Sequence, residues 1–233
     1  MVNTVGSYEN KHWQRRWLHL TRDIHFTSQQ KSLIVGSLLG DATMRVGKGA
    51  INANFKIEQG LAQKEYVLWK YKILESFVLT EPKMSYRYHE DGNRYEKSWW
   101  FRTIRHPRLT EIYLMFYKTK GYRCGKKIVP QKIAELIDPM ALAAWIMDDG
   151  SYSKGRIDIS TYSFSLSEIK FLQSVILSKF KVAMNFYRDR DRGFRMYCTA
   201  RETKKLIEVI NPYIIKSMMY KIGFHNPVTT FRI

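Results

Sequence analysis

The sequence predicts an α+β fold built from two copies of one αββαββα unit. Three observations predict it. Two apolar stretches end in acidic residues, Asp41 and Asp149, that lie 108 residues apart. Period-two alternation of apolar and polar residues follows each stretch. The same order of helical and hairpin segments then runs through both halves.

The first stretch reads Ile34-Val-Gly-Ser-Leu-Leu-Gly-Asp-Ala42 and the second Leu142-Ala-Ala-Trp-Ile-Met-Asp-Asp-Gly150. Gly36 and Gly40 are four apart on one helix face, and Ala144 and Asp148 hold the equivalent places. After Asp41, Ile51, Ala53, Phe55 and Ile57 alternate with Asn52, Asn54, Lys56 and Glu58. After Asp149, Arg156, Asp158 and Ser160 form the polar face of a shorter strand. Glycine-containing turns at 47–49 and 154–155 make each strand the second arm of a hairpin. Helical segments follow at Gln63–Phe77 and Ser165–Phe180, with Ser165 or Ser167 as cap and Glu168 early in the helix. Second hairpins pair Met84–Glu90 with Tyr95–Thr103, turning at Asp91-Gly92, and Val182–Arg188 with Phe194–Thr199, turning near Gly193. Pro107–Tyr117 and Arg201–Ile210 supply the closing helices. The chain therefore divides into an N-terminal basic extension (1–27), a first repeat (28–120), a linker with a basic segment (121–138) and a second repeat with a C-terminal helix (139–233).

Composition narrows the function. There are 39 Lys+Arg and 21 Asp+Glu, a net charge of +18, on a chain with 45% hydrophobic residues, enough for a core. Such an excess needs a polyanionic partner, nucleic acid first and an anionic membrane surface second. The longest clean apolar stretch, Pro139 to Met147, is half of what a bilayer requires, so a membrane span is excluded. Two cysteines, Cys124 and Cys198, cannot build a zinc site or disulfide scaffold. The six histidines show no i,i+4 pair. Residues 1–27 lack a secretory apolar core, which points to an intracellular protein of an organelle or a prokaryotic cytoplasm. Trp13, Trp17 and Leu20 lie at helical spacing there, consistent with a packed surface helix or a basic arm on nucleic acid.

The two stretches resemble the paired signature motifs of the LAGLIDADG homing endonucleases. The likeness is to the single-chain, intron-encoded branch whose second motif reads Met-Asp-Asp-Gly, here Met147–Gly150. It covers about residues 28–222 and includes Lys126-Lys-Ile-Val-Pro130 and Pro212-Tyr-Ile-Ile-Lys-Ser-Met-Met-Tyr-Lys221. The first motif departs from the pattern at Ser37 and Ala42. The resemblance implies saddle-shaped antiparallel sheets that bind DNA and motif helices packed side by side as the domain interface. It brings Asp41 and Asp149 together as catalytic ligands of Mg²⁺, for which Mn²⁺ can substitute, with the backbone carbonyls of Gly40 and Asp148 as helpers. Two acids at the C-terminal ends of two helices are unfavourable by like charge and by helix dipole, and a divalent cation relieves both. Lys127 and Lys221 match the family's basic residues near the active site; their alternatives are a phosphate-contacting lysine and a solvated one.

The polar strand faces, with Arg45, Lys48 and Lys154 at their turns, form the expected DNA surface. They carry Asn52, Asn54, Lys56, Glu58, Arg87, His89, Arg94, Lys97 and Arg102 in the first half. Arg156, Asp158, Ser160, Asn185, Arg188, Arg190, Arg192, Arg195 and Tyr197 follow in the second. Arg reads guanine, Asn adenine and acids cytosine. For any one residue the competing reading is an exposed polar strand position, and Arg188–Arg192 reads equally as a solvated hairpin tip. A ten-residue strand spans about 33 Å, about ten base pairs at 3.4 Å each. A monomer with two such sheets covers about 20 base pairs, two helical turns. Intron RNA, bound by a maturase on the same scaffold, is the alternative partner.

Overall fold

The computed structural model describes residues 25–90, 92–118 and 125–224. The segment with Trp13, Trp17 and Leu20, expected as a surface helix or a basic arm, and Asp91 of the first-repeat turn lie outside the described residues. Two long apolar helices form the middle of the molecule. Helix α1 (Ser28–Leu39) starts at Thr27, whose hydroxyl accepts from the Gln30 N–H while the Gln30 side chain accepts from the Thr27 N–H, a reciprocal cap. Gln30 also donates to the Ile73 carbonyl at 2.9 Å. The second-repeat helix, α5 (Pro139–Asp149), starts at Asp138, whose carboxylate accepts from the Ala141 N–H at 2.7 Å. Proline in its first turn loses no helical hydrogen bond.

Both helices are apolar nearly all round, because they pack on each other and on a sheet at either side. Glycine permits the approach: a Cβ on Gly36 would lie 2.1 Å from the Ala141 carbonyl oxygen, and one on Gly40 would lie 2.6 Å from the Asp148 Cβ. At the opposite end of the pair, the Ser32 hydroxyl donates to the Asp138 carboxylate, so one hydrogen bond joins the two repeats near the helix N-termini.

The first repeat continues with β1 (Thr43–Arg45), β2 (Asn54–Gly60), α2 (Lys64–Leu74), β3 (Lys83–Tyr88), β4 (Arg94–Arg102) and α3 (Pro107–Phe116). Its antiparallel sheet has the order β1-β2-β4-β3. A short ribbon of β5 (Tyr117–Lys118) and β6 (Lys126–Lys127), then α4 (Ile133–Leu136), leads to α5. The second repeat adds β7 (Gly150–Ser153), β8 (Arg156–Ser160), α6 (Leu166–Phe180), β9 (Asn185–Arg188), β10 (Phe194–Tyr197) and α7 (Ala200–Ile210), with sheet order β7-β8-β10-β9. The repeats are thus equivalent strand for strand. Thr43 pairs with Lys56 as Ser151 pairs with Asp158, and Arg45 pairs with Asn54 as Ser153 pairs with Arg156. Ser165 caps α6, with Glu168 completing the reciprocal pair.

Two strands start three residues later than expected. Strand β9 begins at Asn185 rather than Val182. Strand β2 begins at Asn54 rather than Ile51, and Ile51 is 89% exposed instead of facing the core. The Ala50 N–H closes a turn on the Gly47 carbonyl, and the Ala53 N–H bonds to the Thr110 hydroxyl at 3.0 Å. The Ala53 carbonyl accepts from the His106 N–H, so this segment is tied to the start of α3 and not to β1. The second-repeat hairpin is tighter: Lys154 and Gly155, with φ of 50° and 81°, form a two-residue turn of the kind that follows the twist of the strands. Among the described residues no helix is long and apolar enough to cross a membrane.

The Ala141 carbonyl belongs to a helix backbone and cannot yield to a new side chain. Gly36→Val is expected to lower the unfolding free energy by about 3 kcal/mol or more, read from urea denaturation, while Gly60→Val, with open space at its Cβ position, lowers it far less.

Candidate active site and nucleic-acid interface

The carboxylates expected to act lie at neighbouring helix ends. Asp149 is the last residue of α5 and is half-buried; Asp41 lies just past α1 and is exposed. The two exits differ where the motifs differ. The Gly150 N–H bonds back to the Ile146 carbonyl, but the Ala42 N–H reaches the Ser37 carbonyl, one residue further.

A helix C-terminus leaves carbonyls without partners and carries a partial negative charge. Here each end receives a lysine. Lys127 donates to the carbonyls of Gly40 (2.7 Å) and Ala42 (2.9 Å). Lys221 donates to those of Asp148 (3.2 Å) and Gly150 (2.8 Å). These are the same two positions of each motif. The Gly40 and Asp148 carbonyls, expected as helpers of a metal, are therefore engaged by lysines, because the ammonium groups meet the negative helix ends. Burial lowers the pKa of both lysines, against the opposing pull of Asp41, Asp148 and Asp149. For Asp149, burial raises the carboxyl to about 8, with the negative charges of Asp41 and Asp148 adding to the rise.

Two residues that the sequence motifs did not single out, Lys70 and Gln59, complete the site. Lys70 of α2 is fully buried and holds the Asp148 carboxylate at 2.6 Å. Its ammonium also lies 4.2 Å over the Tyr66 ring, and the Tyr66 hydroxyl donates to the Ala144 carbonyl. Gln59 of β2 donates to Asp148 (3.0 Å) and Asp41 (3.2 Å), linking the two carboxylates. Burial raises the Asp148 carboxyl despite Lys70, and Asp41 adds to the rise. A signal for these residues exists in the pattern. Gln59 continues the buried phase of Phe55 and Ile57, and Lys70 falls within the buried set Val67, Lys70 and Leu74. A polar residue at an apolar phase needs a buried partner.

The donor set suits a hard divalent cation. Asp41 and Asp149 offer oxygen at the helix ends, and the negative charges of Asp41 and Asp148 raise the affinity of Asp149 for a proton. Among the described residues no three His, Cys, Asp or Glu side chains form a metal cluster.

The residues expected to face DNA lie on or beside the two sheets, and their exposure varies. Lys56, Lys97 and Ser98 all bond to Glu58; burial opposes its ionisation, but these bonds outweigh it and hold the carboxyl at about 2. Arg45, Lys48, Arg87, His89, Arg94, Arg102 and Lys154 are exposed. Arg94 lies over Tyr86, His89 packs on Tyr95, and Arg195 donates to Ser151. Ser160 and Tyr197 are half-buried, and Asn185 and Arg188 are exposed at the ends of β9. Arg190 and Arg192 occupy a single turn at the hairpin tip, not a strand. Two asparagines depart from the expected exposure: Asn54 is buried, and Asn52, outside the strand, accepts from the Thr110 hydroxyl of α3. Asp158 is also buried, because Arg156 covers it in an ion pair.

A model of the LAGLIDADG DNA endonuclease family matches residues 31–206. The chain is 29% identical over 195 residues to the cytochrome b mRNA maturase bI2 of Debaryomyces hansenii, covering 82% of this chain and 72% of that one. It is 28% identical over 211 residues to the DNA endonuclease I-ChuI of Chlamydomonas applanata, covering 86% and 97%. Its fold matches that of the homing endonuclease I-WcaI, solved bound to its DNA recognition sequence, with a TM-score of 0.78, 21% identity, and 93% and 92% of the two chains covered.

Lys70→Met strands a buried carboxylate and is expected to lower the unfolding free energy by about 3–5 kcal/mol. Adding Asp148→Asn should recover most of that loss in urea denaturation. Asp149 titrates at about 8 when folded against 3.8 as a free side chain. The folded state therefore holds the proton more tightly, and the stability this group contributes is full below about pH 4 and lost as pH rises to about 8. Asp149→Asn, which mimics the protonated acid, should melt at higher temperature than the parent by a margin that widens across that range without divalent ions.

Proposed function

Because the chain belongs to the LAGLIDADG DNA endonuclease family, we propose that it is a homing endonuclease. It hydrolyses phosphodiester bonds on both strands of a long asymmetric DNA target with a divalent metal, leaves short 3′ overhangs, and drives the mobility of its intron. The observation that carries this reading is the pair Asp41 and Asp149 at adjacent helix ends, each with a lysine on the carbonyls of its own helix end. A purely structural design does not gather three carboxylates at the negative ends of two helices.

Asp41 and Asp149 hold Mg²⁺, or Mn²⁺ in its place. When bound, the ion supplies charge stabilisation at the attacking and leaving oxygens and eases deprotonation of water. Gln59 fixes the Asp41 carboxylate through a hydrogen bond. Lys127 and Lys221, half-desolvated at the helix ends, present positive charge to a phosphate placed beside the acids and orient water there. One acid per repeat serves one strand each. The two sheets grip about two helical turns of duplex, with the excess positive charge on phosphates, and both repeats in one chain make a monomer sufficient. The likeness to a maturase favours a second activity on this scaffold, binding of intron RNA to assist its splicing.

Purified protein with Mg²⁺ should linearise a plasmid that carries the joined exon sequences flanking its own intron. Asp41→Asn and Asp149→Asn should each reduce linearisation to background while still shifting the duplex in a gel, with affinity falling steeply as salt rises. Full cleavage by both variants overturns the assigned site, and absence of cleavage by the parent overturns the nuclease. Splicing stimulated equally by parent and variants establishes the second activity.

A further inference from the structure

Arg156 and Asp158 read as two separate base-contacting residues in the sequence, but the structure joins them into one unit. They lie two apart on β8, so they share a face. The Arg156 Nε donates to Asp158 Oδ2 at 2.8 Å and its Nη2 to Oδ1 at 2.6 Å, a side-on pair. The guanidinium also lies 4.1 Å over the Tyr197 ring and 5.3 Å from that of Tyr187. Tyr197 is the β10 partner of Asp158, so carboxylate and ring belong to one rung of the sheet. The tight Lys154-Gly155 turn fixes Arg156 as the first residue of its strand.

This arrangement settles what each group can still do. Arg156 bonds both oxygens of Asp158 and covers it, leaving its side chain 12% exposed, so it presents little surface to a cytosine amino group. Arg156 keeps its end-on edge. Among the described residues nothing accepts from Nη1, and the side chain is 40% exposed on the polar face of the sheet. A planar fork whose other edge is fixed by a carboxylate and whose plane is set by an aromatic ring presents two parallel donors with little rotamer freedom left to lose. The guanine O6 and N7 atoms in the major groove form the matching pair of acceptors. Among the described residues Arg156 is the one arginine on either sheet face that a carboxylate holds.

Among the described residues the first repeat has no such unit. By strand register its equivalent positions are Asn54, which is buried, and Lys56, which pairs with Glu58. Resting on the proposed binding of duplex DNA by the sheets, we infer that Arg156 is a specificity-determining residue that reads one guanine in the half-site gripped by the second repeat, with Asp158 as its positioning residue. Arg156 lies opposite Ser153, four residues beyond Asp149. At the rise of a strand that is about 13 Å, so the guanine lies about four base pairs from the phosphate nearest Asp149.

The test uses the full chain and a library of randomised duplexes two helical turns long, selected by binding in Ca²⁺. The selected duplex is then changed one base at a time. The parent should require guanine at one position in one half-site, with adenine there costing roughly tenfold or more in Kd. Replacing that guanine with 7-deazaguanine, which lacks the N7 acceptor, should weaken the parent. Arg156→Lys keeps a charge beside Asp158 but loses the fork. It should bind the duplex yet lose the preference at that position alone, and it should be indifferent to 7-deazaguanine. Asp158→Asn should weaken the same preference and no other, with an unchanged melting temperature of the complex on non-specific DNA. A base-by-base profile in Arg156→Lys that equals the parent's, or a parent with no required guanine in that half-site, overturns the inference and leaves the nuclease reading standing. A parent that selects no sequence overturns both.

Discussion

The closeness of α1 and α5 is the constraint on which the rest of the molecule depends. Their backbones meet where Gly36 faces the Ala141 carbonyl, an approach that any side chain at residue 36 would prevent. Once the two axes are fixed, each sheet is carried on its own side, and the acids at residues 41 and 149 arrive at the same place. Polar contacts fix the two ends of this pair. Ser32 reaches Asp138 near the helix N-termini, and Gln59 ties Asp41 to Asp148 near the C-termini. The apolar middle supplies the burial and these ends supply the register.

The closeness has an electrostatic consequence. Two helix C-termini and three carboxylates converge, and left alone they would repel both one another and a phosphate. The fold answers in two ways. Half-buried at the helix ends, Lys127 and Lys221 neutralise the terminal carbonyls. In the interior, Lys70 neutralises Asp148, for which room exists because residue 40 opposite it is glycine. A buried ion pair is a poor source of net stability. Its effect here is to fix a carboxylate and, through Gln59, the exposed Asp41 beside it.

Most of the architecture was legible in the sequence because periodicity and turn chemistry are local properties. Both αββαββα units, the cap at Ser165 and the turn at Lys154-Gly155 follow from residue patterns within a few positions. The start of β2 was not legible. Ile51, Ala53, Phe55 and Ile57 alternate without a break, yet hydrogen bonds from α3 take over at Ala53, more than fifty residues away in sequence. The acids and lysines of the site stood out by their motifs. Gln59 and Lys70 did not, since each looks like a surface residue until its phase is counted, and the partner that satisfies it lies in the other repeat. Asn52 and Asn54 erred in the opposite sense, because strand polarity alone does not say which polar residues the fold will cover.

The repeats share a backbone but not a chemistry. At equivalent places stand Gly40 and Asp148, Asn54 and Arg156, Lys56 and Asp158. The buried triplet Val67, Lys70 and Leu74 is answered by Ile169, Leu172 and Ile176, so the buried lysine has an apolar counterpart. Gln59, which holds two carboxylates, corresponds in register to Thr161, whose hydroxyl is used on the Phe194 carbonyl. In a homodimer any one of these substitutions would occur twice, and a lysine paired with Asp148 in one half would be matched by the same pair in the other. Within one chain the halves are free to differ while the central helices keep them in register. The differences fall at the helix ends, on the strands and on the buried face of the helix that follows each first hairpin. The packing that sets the two halves in place therefore tolerates divergence at these positions, and a partner whose two halves differ is the one such a surface would fit.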